Sequence, residues 1–132
     1  MKRLVPIMAV AVAATIGCRS GRAGTDVDTG TAPETAEAGV VPVTIVNNNP
    51  TQFTIYAVRT GTRVRVGDAV SFTTSTLRLR RTDLDTDNSV RLVADPVGGS
   101  DVIRTGLLVV QPGQHIDWTI EAVPANSSAV VR

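Results

Sequence analysis

The chain has one cysteine, one histidine and, beyond Lys2, no lysine. Each shortage closes a route. A single thiol cannot form an internal disulfide. Zinc and copper sites draw on several His or Cys ligands, and His115 stands alone. A serine or cysteine nucleophile needs a base with an orienting partner; the one base on offer is His115, expected at an outward strand position. Aromatic residues make up 3% of the chain, so any core must be built from valine, isoleucine and leucine. No apolar run reaches the roughly 20 residues of a membrane-spanning helix. The formal charge is +1, which gives no whole-protein field for nucleic acid. A carboxylate pair such as Asp95 with Asp101 is what remains for acid–base chemistry, and acidic turn residues are common without it. The expectation is a protein that is not an enzyme and carries no dissociable cofactor.

What is present begins with the segment Met1–Cys18. A basic start (Lys2, Arg3) precedes an apolar run from Leu4 to Ile16, then Gly17 and Cys18. The run is about 13 residues, within the ~7–15 of an export-signal core. Arg19 and Arg22 follow too soon for a membrane span. Thr15-Ile16-Gly17-Cys18 resembles the lipobox of bacterial lipoproteins, which implies a signal peptide over 1–17 and a lipidated Cys18 as the mature N-terminus. Ordinary secretion with cleavage at Ala11-Val12-Ala13, a small-x-small site, is the alternative. Lipidation accounts for an otherwise spare thiol in an exported chain. Arg19, where an aspartate would favour retention at the inner membrane, then implies the outer membrane.

Residues 18–39 read as a flexible linker of Gly, Thr, Ala, Asp and Glu, with Val27 its one large aliphatic residue. Such a stretch buries too little apolar surface to offset the entropy of ordering it. Its mean span would be on the order of 25 Å.

From Val40 the apolar period becomes two, the signature of half-buried strands. Val41, Val43 and Ile45 alternate with polar or turn-forming neighbours, and Asn47-Asn48-Asn49-Pro50 ends that strand as a turn. Phe53, Ile55 and Ala57 form the next inward set, and Thr60-Gly61-Thr62 is a hairpin turn. Val64 and Val66 continue with Arg63 and Arg65 outside, and Gly67-Asp68 predicts another turn. Val70 and Phe72 open a further strand, interrupted by Thr73–Thr76, with Leu77 and Leu79 inward between Arg78 and Arg80. After a loop over 83–89 come Val90, Leu92 and Ala94, closed by Pro96-Val97-Gly98-Gly99. The stretch from Val102 to Val110 predicts one strand bent at Gly106. Pro112-Gly113 is a turn, and Ile116, Trp118 and Ile120 alternate cleanly, with Trp118 at the core's centre. Residues 124–132 read as a tail. These features predict an all-β domain over 40–123, an immunoglobulin-like antiparallel β-sandwich of about seven strands, with a small open barrel as the other arrangement.

The domain as a whole is also similar to small exported bacterial lipoproteins. The features that carry this are Tyr56-Ala57-Val58-Arg59 with Gly61, Arg63-Val64-Arg65-Val66-Gly67, Leu92-Val93-Ala94-Asp95-Pro96 with Gly98-Gly99, and Val110-Gln111-Pro112-Gly113 before Trp118. They are turn and strand residues. The resemblance implies a fold and an address, and no activity.

Two constellations bear on binding. Asp83, Asp85 and Asp87 alternate as in the first half of a calcium loop, but Asn88 stands where the turn glycine belongs and Ala94 where the bidentate glutamate belongs. The bland reading is a solvated hairpin loop balancing Arg80 and Arg81. Arg63, Arg65, Arg78, Arg80 and Arg91 occupy outward positions on several strands; on one sheet they would make a basic face suited to carboxylate or phosphate. With Tyr56 the one outward aromatic for stacking, nucleic acid fits poorly. The expected function is a structural or protein-interaction module held to the cell envelope through its lipid. The alternative is a binding module for an anionic envelope glycan or lipid headgroup.

Overall fold

The computed structural model describes residues 39–132. The signal segment, Cys18 and the linker up to residue 38 lie outside the described residues. Nine short strands make up the domain: β1 (Val40–Asn47), β2 (Phe53–Arg59), β3 (Thr62–Ala69), β4 (Thr74–Arg80), β5 (Ser89–Pro96), β6 (Ile103–Arg104), β7 (Leu108–Val109), β8 (Ile116–Ile120) and β9 (Ser128–Val131). They form two sheets. One has the order β4-β1-β8-β9; the other runs β3-β2-β5-β6, with β7 also on β5.

Alternation dictates this arrangement. On β1 and β2 every second side chain is buried, and Trp118 sits between Ile116 and Ile120 on β8 in the same way. Val41, Val43 and Ile45 from one sheet and Phe53, Ile55, Leu92 and Ala94 from the other belong to a single core cluster with Trp118. Trp118 is the largest side chain fully buried there. An inward-facing apolar row on each sheet has nowhere else to go, so the sheets face each other.

β1 pairs antiparallel with β4 and parallel with β8, Val43 opposite Ile116 and Asn47 opposite Ile120. The hairpin β2–β3 turns at Thr60 (φ 43°) and Gly61 (φ 80°), two successive left-handed residues. That is the turn whose twist matches paired strands.

Six details differ from the sequence reading. There are nine strands where about seven were expected, and the β1–β8 pair is parallel in a sandwich expected to be antiparallel. Four local features depart as well. Gly67-Asp68 is not a turn: β3 runs on to Ala69, and the register slips so that Tyr56 faces Arg65 while Ile55 faces Gly67, leaving Val66 as a bulge. An added Cβ at Gly67 would lie 2.7 Å from Leu77 Cδ2, so any larger residue would oblige the Leu77 side chain to shift. Val70 and Phe72 belong to no strand; they form the corner between the sheets, and Phe72 is 70% exposed. Residues 124–132, expected as a tail, hold a short 3-10 turn and β9, which pairs with β8 from Ile116–Val131 to Thr119–Ser128. The bent strand expected over 102–110 is split into β6 and β7, both antiparallel to β5.

The candidate anion-binding face and the acidic loop

The outward residues of the β3-β2-β5-β6 sheet fall into rows. Arg63, Val58 and Arg91 stand side by side across β3, β2 and β5. The next row is Arg65, Tyr56, Val93 and Arg104, the last contributed by β6. A third row holds Asp68, Thr54 and Asp95. Two basic rows thus lie beside one acidic row, on strands about 4.8 Å apart.

This corrects the five-arginine face. Arg63, Arg65 and Arg91 share the outer surface of one sheet, whereas Arg78 and Arg80 project from β4 in the other. Alternation tells inward from outward but not which sheet a strand joins. The residue that sequence reading missed is Arg104. It was hidden in a segment read as one apolar strand, and its signal is its position directly opposite Val93 once β6 pairs with β5.

The arginines differ in occupation. Arg65 Nη2 holds Asp68 Oδ2 at 2.6 Å, Arg80 Nε holds Asp83 Oδ2 at 3.0 Å, and Arg132 Nε holds Asp117 Oδ2 at 3.2 Å. Arg59 donates to the Thr82 carbonyl and Arg81 to that of Gln111. Arg78 is also engaged. Arg63 meets Asp95 loosely, at 3.7 Å. Among the described residues, Arg91 and Arg104 have no carboxylate or carbonyl partner for their guanidinium groups.

Both line one recess, together with Arg63, Val58, Val93 and Gly61. Val93 faces outward yet is only 3% exposed and lies outside the core cluster. Arginine stems can cover apolar surface of this kind while their heads stay in water.

The acidic loop does not gather its carboxylates. Asp83 is turned to Arg80. Asp85 accepts a hydrogen bond from the Thr60 hydroxyl at 2.5 Å. Asp87 accepts from the Ser89 hydroxyl at 2.5 Å and the Ser89 N–H at 3.1 Å. Those two bonds hold the Asp87 carboxyl below its ordinary range. Asp83 and Asp87 are held by neighbours in their own loop and Asp85 by the β2–β3 hairpin, and among the described residues no group of three ligating side chains converges.

His115 precedes β8 and faces Asp117, with Nε2 3.6 Å from Oδ2. Asp95 and Asp101 are not joined: Asp95 lies on β5 toward Arg63, and Asp101 lies in the exposed loop beyond it. No family model, curated protein or solved structure matches the chain.

Proposed function

We propose that the protein is an exported lipoprotein, anchored through Cys18 to the cell envelope with the outer membrane favoured, where its β-sandwich works as a non-catalytic protein-interaction module. The layout of Met1–Cys18 supports the address. The observation that carries the interaction reading is a group of exposed aliphatic side chains where β7 approaches β9. Leu107 is 55% exposed, Val109 48% and Val130 47%. β9 is an edge strand with one side unpaired by any strand of its sheet. A free edge beside exposed aliphatic side chains is the usual template for adding a partner's strand.

An immunoglobulin-like arrangement is part of this reading. β1 pairs with β4 in one sheet and β2 with β5 in the other, and the chain crosses between sheets at β1–β2, β3–β4 and β4–β5. Central strands of immunoglobulin-like sandwiches are ordered this way. The place of their first strand falls to β8, which runs parallel to β1.

Mass spectrometry of the purified protein tests the address: a mature chain beginning at acylated Cys18 is expected, and a chain beginning elsewhere without fatty acid overturns it. A photo-crosslinking residue at Val130 tests the surface in intact cells. A discrete protein adduct there, absent with the same probe at Thr76 on the other edge, is expected. Equal adducts at both positions, or none at Val130, would remove the docking edge.

A further inference from the structure

We infer that the recess bounded by Arg63, Arg91 and Arg104 is a binding site for the carboxylate groups of an acidic sugar chain, of the uronic-acid type. It lies on a different sheet from β9 and does not depend on the anchor or on the docking edge.

The argument starts from charge. Residues 39–132 contain nine arginines against eight acidic residues, so the domain as a whole has almost no field. Positive charge is concentrated only where pairing is incomplete. That place is this recess, which holds both arginines lacking a partner among the described residues, with Arg63 only loosely held by Asp95. The other described arginines are engaged and would have to give up a contact to bind an anion. A guanidinium group presents paired donors that match a carboxylate.

The floor narrows the ligand class. Between the arginines lie Val58 and Val93, and the rim at the hairpin carries Gly61, with no side chain to fill the opening. The recess measures about 170 Å³, the volume of roughly six water molecules. A small hydrated phosphate gains nothing from an apolar floor. A sugar ring laid flat places its C–H face on the half-buried Val58 and on the arginine stems over the buried Val93, with its carboxylate toward Arg91 or Arg104. Successive acidic units of a chain would then meet arginines on neighbouring strands. A bilayer surface could touch the arginine tips but could not reach Val58 beneath them.

The test uses the purified full-length protein and a trigalacturonate probe, followed by calorimetry at low and high salt. Binding is expected at low salt, weakened by salt, with no binding of a neutral galactose trimer. Arg91→Ala and Arg104→Ala should each weaken it about tenfold, and the double variant should abolish it. Arg80→Ala, on the other sheet, should leave it unchanged. Near-UV circular dichroism from Trp118 shows that each variant is folded; if an alanine variant is not, Arg91→Gln and Arg104→Gln take its place. No binding at low salt overturns the inference, as does binding that survives the double variant. Inorganic phosphate or phosphatidylglycerol vesicles bound as tightly as the sugar acid would overturn the ligand class.

Discussion

At the scale of single residues, Asn47 ties the domain's corners together. It is 1% exposed, and its Nδ2 donates toward the carbonyls of Thr51, Ala69 and Val70 at 2.9, 3.1 and 3.2 Å. Its Oδ1 accepts the Asn49 N–H at 3.0 Å. Asn49 in turn donates to the carbonyl of Glu121 at 3.1 Å, and Asn48 to its carboxylate at 3.1 Å. One asparagine turn therefore joins the β1–β2 connection, the end of β3 and the end of β8. Asn47→Ala removes a donor and an acceptor from buried backbone groups and should cost about 2–4 kcal/mol. Urea unfolding should show a lower midpoint with an unchanged slope. The turn itself was legible, because asparagine and proline break strands locally. Its reach to Ala69 was not, since nothing local in the sequence says which distant carbonyls will face it. A second residue-scale consequence concerns Asp87. Its carboxyl titrates lower folded than unfolded, so its stabilising contribution is present above the ordinary carboxylate range and fades as pH falls through the folded value. Ser89→Ala should move the Asp87 titration upward, as followed by carboxyl carbon NMR.

At the scale of elements, the irregular positions separate what alternation could reveal from what it could not. Strands β1, β2 and β8 could be read from their apolar period because each buries one face. β5 shows the same inward set, Val90, Leu92 and Ala94, although Ser89 and Val93 on its other face are buried too. The split between β6 and β7 was readable as a bend at Gly106, but its repair was not. Thr105 N–H donates to the Leu92 carbonyl at 2.9 Å, and the Thr105 hydroxyl accepts the Leu92 N–H at 3.0 Å. One side chain thus stands in for a missing rung of the ladder. Thr105→Val keeps the shape but strands the Leu92 N–H, and should cost about 1–3 kcal/mol. Faster hydrogen exchange at the Leu92 amide would accompany the loss. The β3–β4 corner misled the reading for a different reason. Val70 and Phe72 copy a strand's spacing, yet Phe72 has a φ of 56°, a left-handed conformation that bulky side chains avoid. Its ring is mostly in water, so little burial is lost by removing it. Phe72→Gly should raise stability by about 0.5–1 kcal/mol, after allowing for glycine's freedom in the unfolded chain, as measured by thermal and urea unfolding.

At the scale of the whole molecule, an all-β sandwich was legible from the period of two, whereas the assignment of strands to sheets was not. Period two fixes the side of a sheet for each residue and leaves its partners open, which is why Arg78 and Arg80 parted from Arg63, Arg65 and Arg91. β9 was missed because four residues, with a single apolar pair, give too short a pattern. The tertiary logic is dominated by pairings far apart in sequence, above all β1 with β8, whose residues 43–47 meet 116–120. The β4-β1-β8-β9 sheet draws on strands from Val40 to Val131 and shares one core with the other sheet, so the two should be lost together. Far-UV circular dichroism and Trp118 fluorescence are expected to report one coincident unfolding transition, with refolding in the millisecond-to-second range typical of such topologies.

The location of β1 has a mechanical consequence. Gly39 leads straight into a strand flanked on both sides, by β4 and by β8. A tug arriving from the N-terminal side would slide that strand lengthwise against two neighbours at once, loading the whole row of bonds in parallel, as in a lap joint. An edge strand pulled the same way would open one bond after another, like tape lifted from its end. A domain entered through the middle of its sheet therefore resists load applied at its leading end.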